Sequence, residues 1–83
     1  MIKVLFFAQL RDHAGVDSLE LPLGEMRVVR DLLVGLRAYA PTELIDALSD
    51  ESALVSIDHQ YAGWDAELID GAEVGILPPV SGG

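Results

Sequence analysis

Apolar and polar residues alternate near both ends of the chain, and each alternating stretch predicts a strand. The first stretch, "IKVLFFAQL" at residues 2–10, is also rich in the β-branched and aromatic residues that favour strands. Successive side chains of a strand point to opposite faces of its sheet. One face should therefore hold Ile2, Val4, Phe6 and Ala8, and the other Lys3, Leu5, Phe7 and Gln9.

A second strand is predicted over "SLELPL" at residues 18–23, where leucine occupies every second position. The turn residues "DHAG" separate this stretch from the first, so the two strands should pair as a hairpin. Pro22 has no backbone N–H to donate to a neighbouring strand. The second strand should therefore lie at an edge of the sheet.

The period changes to that of a helix over "VVRDLLVGLRAYAP" at residues 28–41. Gly35 weakens the interior of this helix, and Pro41 ends it. One or two further helical turns are predicted over "TELIDALSD", with Thr42 as the cap. The inward-facing positions are expected to be Val29, Leu32, Leu33, Leu36 and Ala40, followed by Leu44, Ile45 and Leu48.

The last third of the chain returns to strand patterns. "ALVSIDH" predicts a third strand, "YAGWDAEL" a loop or a short edge strand, and "EVGIL" the last strand after a turn at Asp70-Gly71. A hairpin, a crossing helix and further strands predict an α+β fold, with one main helix across one face of a mixed sheet. The first and last strands should pair in parallel at the centre of that sheet.

Composition and charge exclude several classes of function for this protein. The 83 residues suffice for one domain, 51% of them are hydrophobic, and there is no cysteine for disulfides or thiolate ligands. The net charge of -9 leaves too few cations to bind nucleic acid or an anionic membrane. This charge suits a protein partner with a basic surface, although it could also serve solubility alone. With no secretion signal and no apolar run of about 20 residues, a cytoplasmic protein is expected.

The folded body offers weak candidates for chemistry. Ser56, Asp58 and His59 are not expected to make a catalytic triad, because side chains alternate along a strand, so that Ser56 and Asp58 share one face while His59 points away from both. His13 and His59 are interpreted as surface residues rather than metal ligands, since a site would need both together with carboxylates. Trp64 and Tyr61 are expected to pack over a sheet edge.

The sequence "ILPPVSGG" at residues 76–83 is the stronger candidate. Pro78 and Pro79 favour a stiff, extended segment, and Gly82 and Gly83 have no Cβ, so they could enter a narrow channel in a partner. The reactive group would be the carboxylate of Gly83, which accepts a nucleophile once it is adenylated. The alternative is an ordinary frayed terminus. The segment that would enter the channel comprises Pro78, Pro79, Ser81 and Gly82.

Two stretches, "KVLFFAQLRDHAG" and "LIDGAEVGILPPVSGG", resemble the small, sulfur-carrier subunit of molybdopterin synthase, within the ubiquitin-like β-grasp proteins. The resemblance implies that an activating enzyme, itself similar to ubiquitin-activating enzymes, consumes ATP to adenylate Gly83. It also implies a covalent 1-thioglycine at Gly83, no bound cofactor, and a flexible tail at residues 78–83. The tail would deliver sulfur inside the large synthase subunit, in a heterotetramer, so that the partners perform the chemistry. Relatives often have Asn where this chain has Asp58.

Because the resemblance implies a partner subunit, one face of the predicted sheet is expected to bind it. Phe6 and Ile76 should point towards the helix, so the opposite face would present Leu5, Phe7 and Leu77 to a partner. In the alternative interpretation a loop or the second helix covers these residues. Two other functions share the fold and the Gly-Gly end: a sulfur carrier for thiamin thiazole, and a ubiquitin-like modifier of other proteins. If the protein were a modifier, Lys3 would be the only lysine through which one copy could be joined to another to form a polymeric chain.

Overall fold

The computed structural model describes residues 1–79, which form five strands and several short helices. The strands are β1 (Ile2–Phe6), β2 (Ser18–Leu21), β3 (Leu54–Ile57), β4 (Gln60–Ala62) and β5 (Glu73–Leu77). The helices are α1 (Gln9–Ala14), α2 (Leu32–Gly35) and α3 (Thr42–Leu48), with 3-10 turns at Val29–Asp31 and Leu36–Ala38 on either side of α2.

The strands form one mixed sheet in the order β2-β1-β5-β3-β4. β1 and β5 pair in parallel, with Val4 opposite Val74, and the other three pairings are antiparallel. The predicted parallel pairing of the first and last strands beside the centre is therefore confirmed. The edge positions expected for the second strand and for the "YAGWDAEL" region are confirmed as well, since β2 and β4 are the outer strands.

The prediction for residues 7–15 was wrong, because the first strand ends at Phe6 and a helix follows it. Ala8 has a positive φ of 52°, which turns the chain out of the sheet, so Ala8 and Gln9 do not continue the two strand faces. α1 buries Leu10 and Ala14, which lie one turn apart, and Gly15 caps it in the left-handed conformation. The hairpin of β1 and β2 consequently closes through a helix rather than through a tight turn.

The helix predicted over residues 28–41 forms as three short pieces between Val29 and Ala38. Its apolar stripe is as expected: Val29, Leu32 and Leu36 are fully buried, while Leu33 and Ala40 pack against the core. A Cβ added at Gly35 would lie only 2.6 Å from the sulfur of Met26. The glycine that weakens the helix therefore makes room for the loop between β2 and the helical region.

The cap predicted for α3 was wrong, whereas its buried face was right. The residue before the helix is Pro41, whose extended backbone accepts the amide of Leu44 at 3.1 Å, and Thr42 is already the first helical residue. Leu44, Ile45 and Leu48 are buried as expected. Proline suits this boundary because its fixed φ permits the extended conformation and it needs no N–H donor there.

One apolar core lies between the sheet and the helices, and Trp64 belongs to it rather than to a sheet edge. The indole is only 8% exposed and donates a hydrogen bond to the carbonyl oxygen of Ala53 at 3.1 Å. Tyr61, by contrast, lies on the edge strand β4 and is 78% exposed. The predicted turn at Asp70-Gly71 is confirmed, with Gly71 at φ 93° two residues before the start of β5.

Candidate docking face and carboxyl-terminal strand

The tail proposed from the sequence leaves the sheet from its central strand. β5 has hydrogen-bonded neighbours on both sides: its pairing with β1 extends to Ile76, and its pairing with β3 includes Leu77. Pro78 is half-buried and Pro79 is exposed. Ser81, Gly82 and Gly83, together with Val80, lie outside the described residues.

The three residues expected to face a partner occupy the sheet face opposite the helices. Phe6 and Ile76 are 2% and 0% exposed in the core, whereas Phe7 is 41% exposed. Leu5 and Leu77 are half-buried on the same open side. The division of the sheet into two faces is thus confirmed, and no loop or helix within residues 1–79 covers Phe7. The role of Leu5, Phe7 and Leu77 in binding remains a prediction.

Phe7 and Leu77 line a shallow depression of about 270 Å³ on this face. Its other lining residues are Ser56, His59 and Tyr61, which sequence analysis did not connect with docking. The register explains their proximity, since Ser56 lies opposite Tyr61 on one side and Gly75 on the other. The sequence indicates the alternation within each strand but not the register of β3 against β5. It therefore could not predict that Ser56 lies beside Phe7 and Leu77.

Asp58 and His59 lie in a turn beyond β3, so the prediction that they alternate with Ser56 along one strand was wrong. Both have positive φ, 50° and 71°, as the two central residues of a tight hairpin between Ile57 and Gln60. Aspartate tolerates this conformation better than most residues, which fits Asp58 at the first position of the turn.

The side chains of this turn are directed to the start of β5. The Asp58 carboxylate accepts the amide of Glu73 at 3.1 Å, and the amide of Asp58 donates to the carbonyl oxygen of Glu73 at 2.9 Å. Nε2 of His59 lies 3.5 Å from a carboxylate oxygen of Glu73. Asp58 and His59 therefore brace the turn against β5, and Ser56 is not hydrogen-bonded to either of them in the described contacts.

The described range, residues 1–79, shows neither a metal centre nor a membrane-spanning helix. No group of three or more His, Asp or Glu side chains in that range is arranged to hold a metal ion. His13 is half-buried on α1, and the side chain of His59 is 84% exposed. None of the helices in the same range has the length and apolar character needed to cross a bilayer.

Backbone hydrogen bonds fix one acidic side chain on the helical side. The Asp31 carboxylate accepts the amides of Arg27 and Val28, at 2.8 and 3.1 Å, and these two donors hold the pKa of Asp31 below its usual range. Arg30 makes two contacts with the Glu51 carboxylate, at 2.6 and 2.9 Å, and lowers the pKa of Glu51. Neither carboxylate lines the depression on the open face of the sheet.

The fold has close counterparts among solved structures. The Pyrococcus furiosus protein described as molybdopterin converting factor subunit 1 is 34% identical, with 95% of this chain and 97% of that one covered and a TM-score of 0.75. Small archaeal modifier protein 1 of Methanosarcina acetivorans is 33% identical, with 99% and 95% covered and a TM-score of 0.73. The sheet order and these likenesses define a ubiquitin-like β-grasp domain.

Sequence comparison then gives the family. The chain belongs to the ThiS family, which it matches over residues 4–83. It is 37% identical over 83 residues to the molybdopterin synthase sulfur carrier subunit of Escherichia coli (strain K12), and the match covers 100% of both chains. The family predicted from the two end stretches is therefore confirmed.

Proposed function

We propose that this protein is the sulfur carrier subunit of a molybdopterin synthase and acts in the synthesis of the molybdenum cofactor. The observation that supports this most strongly is the end-to-end identity of 37% with the E. coli sulfur carrier subunit. The fold agrees with it, because the same β-grasp domain occurs in the P. furiosus converting factor subunit. The site of action is the cytoplasm, where ATP is available for activation.

The chemistry takes place at the carboxyl group of Gly83 in two steps. An oxygen of this carboxylate attacks the α-phosphorus of ATP on an activating enzyme, which forms the acyl adenylate and releases pyrophosphate. A sulfur nucleophile at the oxidation level of sulfide then attacks the carbonyl carbon and displaces AMP, leaving a thiocarboxylate. The carrier supplies only its carboxyl group, so the partner enzymes provide the catalytic residues.

The tail, residues 78–83, presents this group to the partners. Pro78 and Pro79 follow directly after the central strand and have no backbone N–H to donate to a sheet, so they favour separation of the tail from the body. Ser81 and Gly82 are small enough to pass through a narrow channel. The chain thus acts as one domain, residues 1–83, that carries a slender reactive end.

The open sheet face beside the tail binds the large catalytic subunit. Phe7 is exposed there beside Leu77, and β5 connects this surface directly with Pro78. A contact surface next to the tail would orient the reactive group before it enters the partner. The net charge of -9 favours a basic surface on that partner and on the activating enzyme.

Intact mass spectrometry of the protein purified from its own cells tests the carrier function. The expected result is a species in which one oxygen of Gly83 is replaced by sulfur, located by fragmentation. A matched sample treated with a mild hydrolysing buffer should return to the carboxylate mass. Protein found only as the carboxylate, in cells that are actively making the cofactor, would argue against a sulfur carrier.

A second candidate is a protein modifier, because the M. acetivorans modifier protein is 33% identical over nearly the whole chain. The first step at Gly83 would be the same, and an amine rather than sulfur would displace AMP. Digestion of the cellular proteome should then yield branched peptides in which Gly83 is joined to lysines. If no branched peptides are found and the thiocarboxylate is present, the modifier function is excluded and the sulfur carrier function is supported.

A further inference from the structure

A row of five residues crosses the open face of the sheet, and two adjacent members in its middle, Gly75 and Ser56, have small side chains. Leu5 pairs with Ser18 on β2 and with Gly75 on β5, and Ser56 on β3 pairs with Gly75 and with Tyr61 on β4. The centre of the face therefore consists of a glycine and a serine, between the larger side chains of Leu5 and Tyr61.

The space above Gly75 is already occupied by two neighbours. A Cβ added there would lie 2.6 Å from Oγ of Ser56 and 3.3 Å from Cε2 of Phe7. The first distance is well inside van der Waals contact, and the second requires a shift of a few tenths of an ångström. Glycine is thus needed at this position for the Phe7 ring and the Ser56 hydroxyl to keep their places.

The backbone of Phe7 is held independently of its ring. Its amide donates to the carbonyl oxygen of Ile76 at 3.2 Å, which extends the β1–β5 pairing by one residue, and Ala8 then turns the chain into α1. Because the backbone is fixed, the ring can respond to an added methyl at residue 75 only by rotating or tilting. Such a movement would reshape the 270 Å³ depression that Phe7, Ser56 and Leu77 help to line.

We propose that Gly75 and Ser56 act together as positioning residues for Phe7, and that they set the shape of the surface that binds the large subunit. This inference rests on the proposed function for its partner, but the placement of the ring is a property of the isolated protein. Glycine at 75 leaves the site for the ring open, and serine at 56 fills the space beside it. Neither residue needs to touch the partner.

The two positions should be coupled. Gly75→Ala alone introduces the 2.6 Å clash with Oγ of Ser56, whereas Ser56→Ala removes that oxygen and leaves Cβ of residue 56 at an ordinary 3.9 Å. The double variant therefore needs only the small shift of the Phe7 ring. Ser56→Ala should suppress the effect of Gly75→Ala, and the interaction is measured by a double-mutant cycle.

The experiment compares four proteins: the wild type, Gly75→Ala, Ser56→Ala and the double variant. For each, the dissociation constant with the purified large synthase subunit and the midpoint of thermal unfolding are measured. Gly75→Ala should bind about tenfold more weakly or worse, and the double variant should recover most of that loss. Gly35→Ala is the matched control, because it adds a methyl with an equally short contact, 2.6 Å from a flexible Met26 sulfur, on the opposite side of the sheet.

A partner-free measurement separates this inference from the proposed function. Nuclear Overhauser contacts between the Phe7 ring protons and the α-protons of residue 75 should be strong in the wild type, changed in Gly75→Ala and largely restored in the double variant. If the wild type fails to bind the large subunit while these contacts follow that pattern, the proposed function is wrong and the positioning is right. Unchanged ring contacts in Gly75→Ala, or tenfold weaker binding that Ser56→Ala does not relieve, would overturn the inference.

Discussion

Phe6 and Phe7 are neighbours in sequence, yet they lie on opposite faces of the sheet, with Phe6 2% exposed and Phe7 41% exposed. The strand alternation places one ring against the helices and the other on the open face. The two rings therefore have different tasks, one in the core and one on the surface.

The first prediction compares these two residues by truncation. Phe6→Ala should lower the free energy of unfolding by about 3–5 kcal/mol, because it leaves a cavity in the core. Phe7→Ala should change stability little and should weaken binding to the large subunit by about 2 kcal/mol. Chemical denaturation and calorimetric titration provide the two readouts. If Phe7→Ala unfolds the domain as severely as Phe6→Ala, the open face is part of a core.

The second prediction concerns the indole of Trp64. Trp64→Phe keeps an apolar ring but removes the donor to the buried carbonyl oxygen of Ala53, which should cost about 1–3 kcal/mol of stability. Circular dichroism must follow the unfolding, because Trp64 is the only tryptophan. Tyr61→Phe is the control, since its exposed hydroxyl has no comparable role. Equal stability of Trp64→Phe and the wild type would show that the hydrogen bond contributes nothing.

The third prediction concerns the tail. A protein that lacks Gly82 and Gly83 should keep its thermal stability, because both residues follow the last strand, but it should support no sulfur transfer. One added residue after Gly83 should have the same effect, since it masks the reactive carboxylate. Reconstituted synthesis with the large subunit and the activating enzyme provides the readout. Full activity of the extended, unprocessed protein would rule out the mechanism.

The fourth prediction follows from the net charge of -9. Association with the large subunit and with the activating enzyme should slow with added salt, because salt screens the attraction between opposite charges. Stopped-flow rates should fall on the order of tenfold between low ionic strength and molar salt, whereas dissociation rates should change less. Rates that stay constant or rise with both partners would exclude electrostatic steering.

The fifth prediction uses the lowered pKa of Asp31. The two backbone donors favour the ionised carboxylate in the folded protein, so its contribution to stability is complete above the unfolded pKa of about 3.9 and is lost as the pH falls through the folded value. Asp31→Asn should therefore be less stable than the wild type at neutral pH, and the difference should shrink below about pH 4. A difference that does not vary with pH would refute this assignment.

Periodicity was sufficient for the elements that bury one face over several residues. β1, β5 and the central helical region were predicted because Val4, Phe6, Val74 and Ile76 alternate and Leu32 and Leu36 are one turn apart. The parallel pairing followed from the element order. The tail was predicted from composition and from the family resemblance. Its last four residues lie outside the described part of the chain.

The missed elements depend on single backbone conformations rather than on patterns. α1 is only six residues long, and its start requires a positive φ at Ala8, a residue type that gives no sign of it. The turn at Asp58 and His59 likewise requires two positive φ values in a stretch that otherwise has the composition of a strand. The depression at Ser56 depends on register across β3 and β5, which is a tertiary property.

The parallel pairing of β1 with β5 also determines when the domain can fold during translation. Lys3 lies opposite Glu73, so β1 has no parallel neighbour until β5, the last of the five described strands, has been made. The centre of the sheet can therefore close only after β5 has left the ribosome, and contacts of such long sequence separation slow folding. A nascent chain truncated before β5 would lack both its central strand and the segment that bears the tail. A chain truncated in this way would not fold, so it could not compete with the complete protein for binding to the partner enzymes.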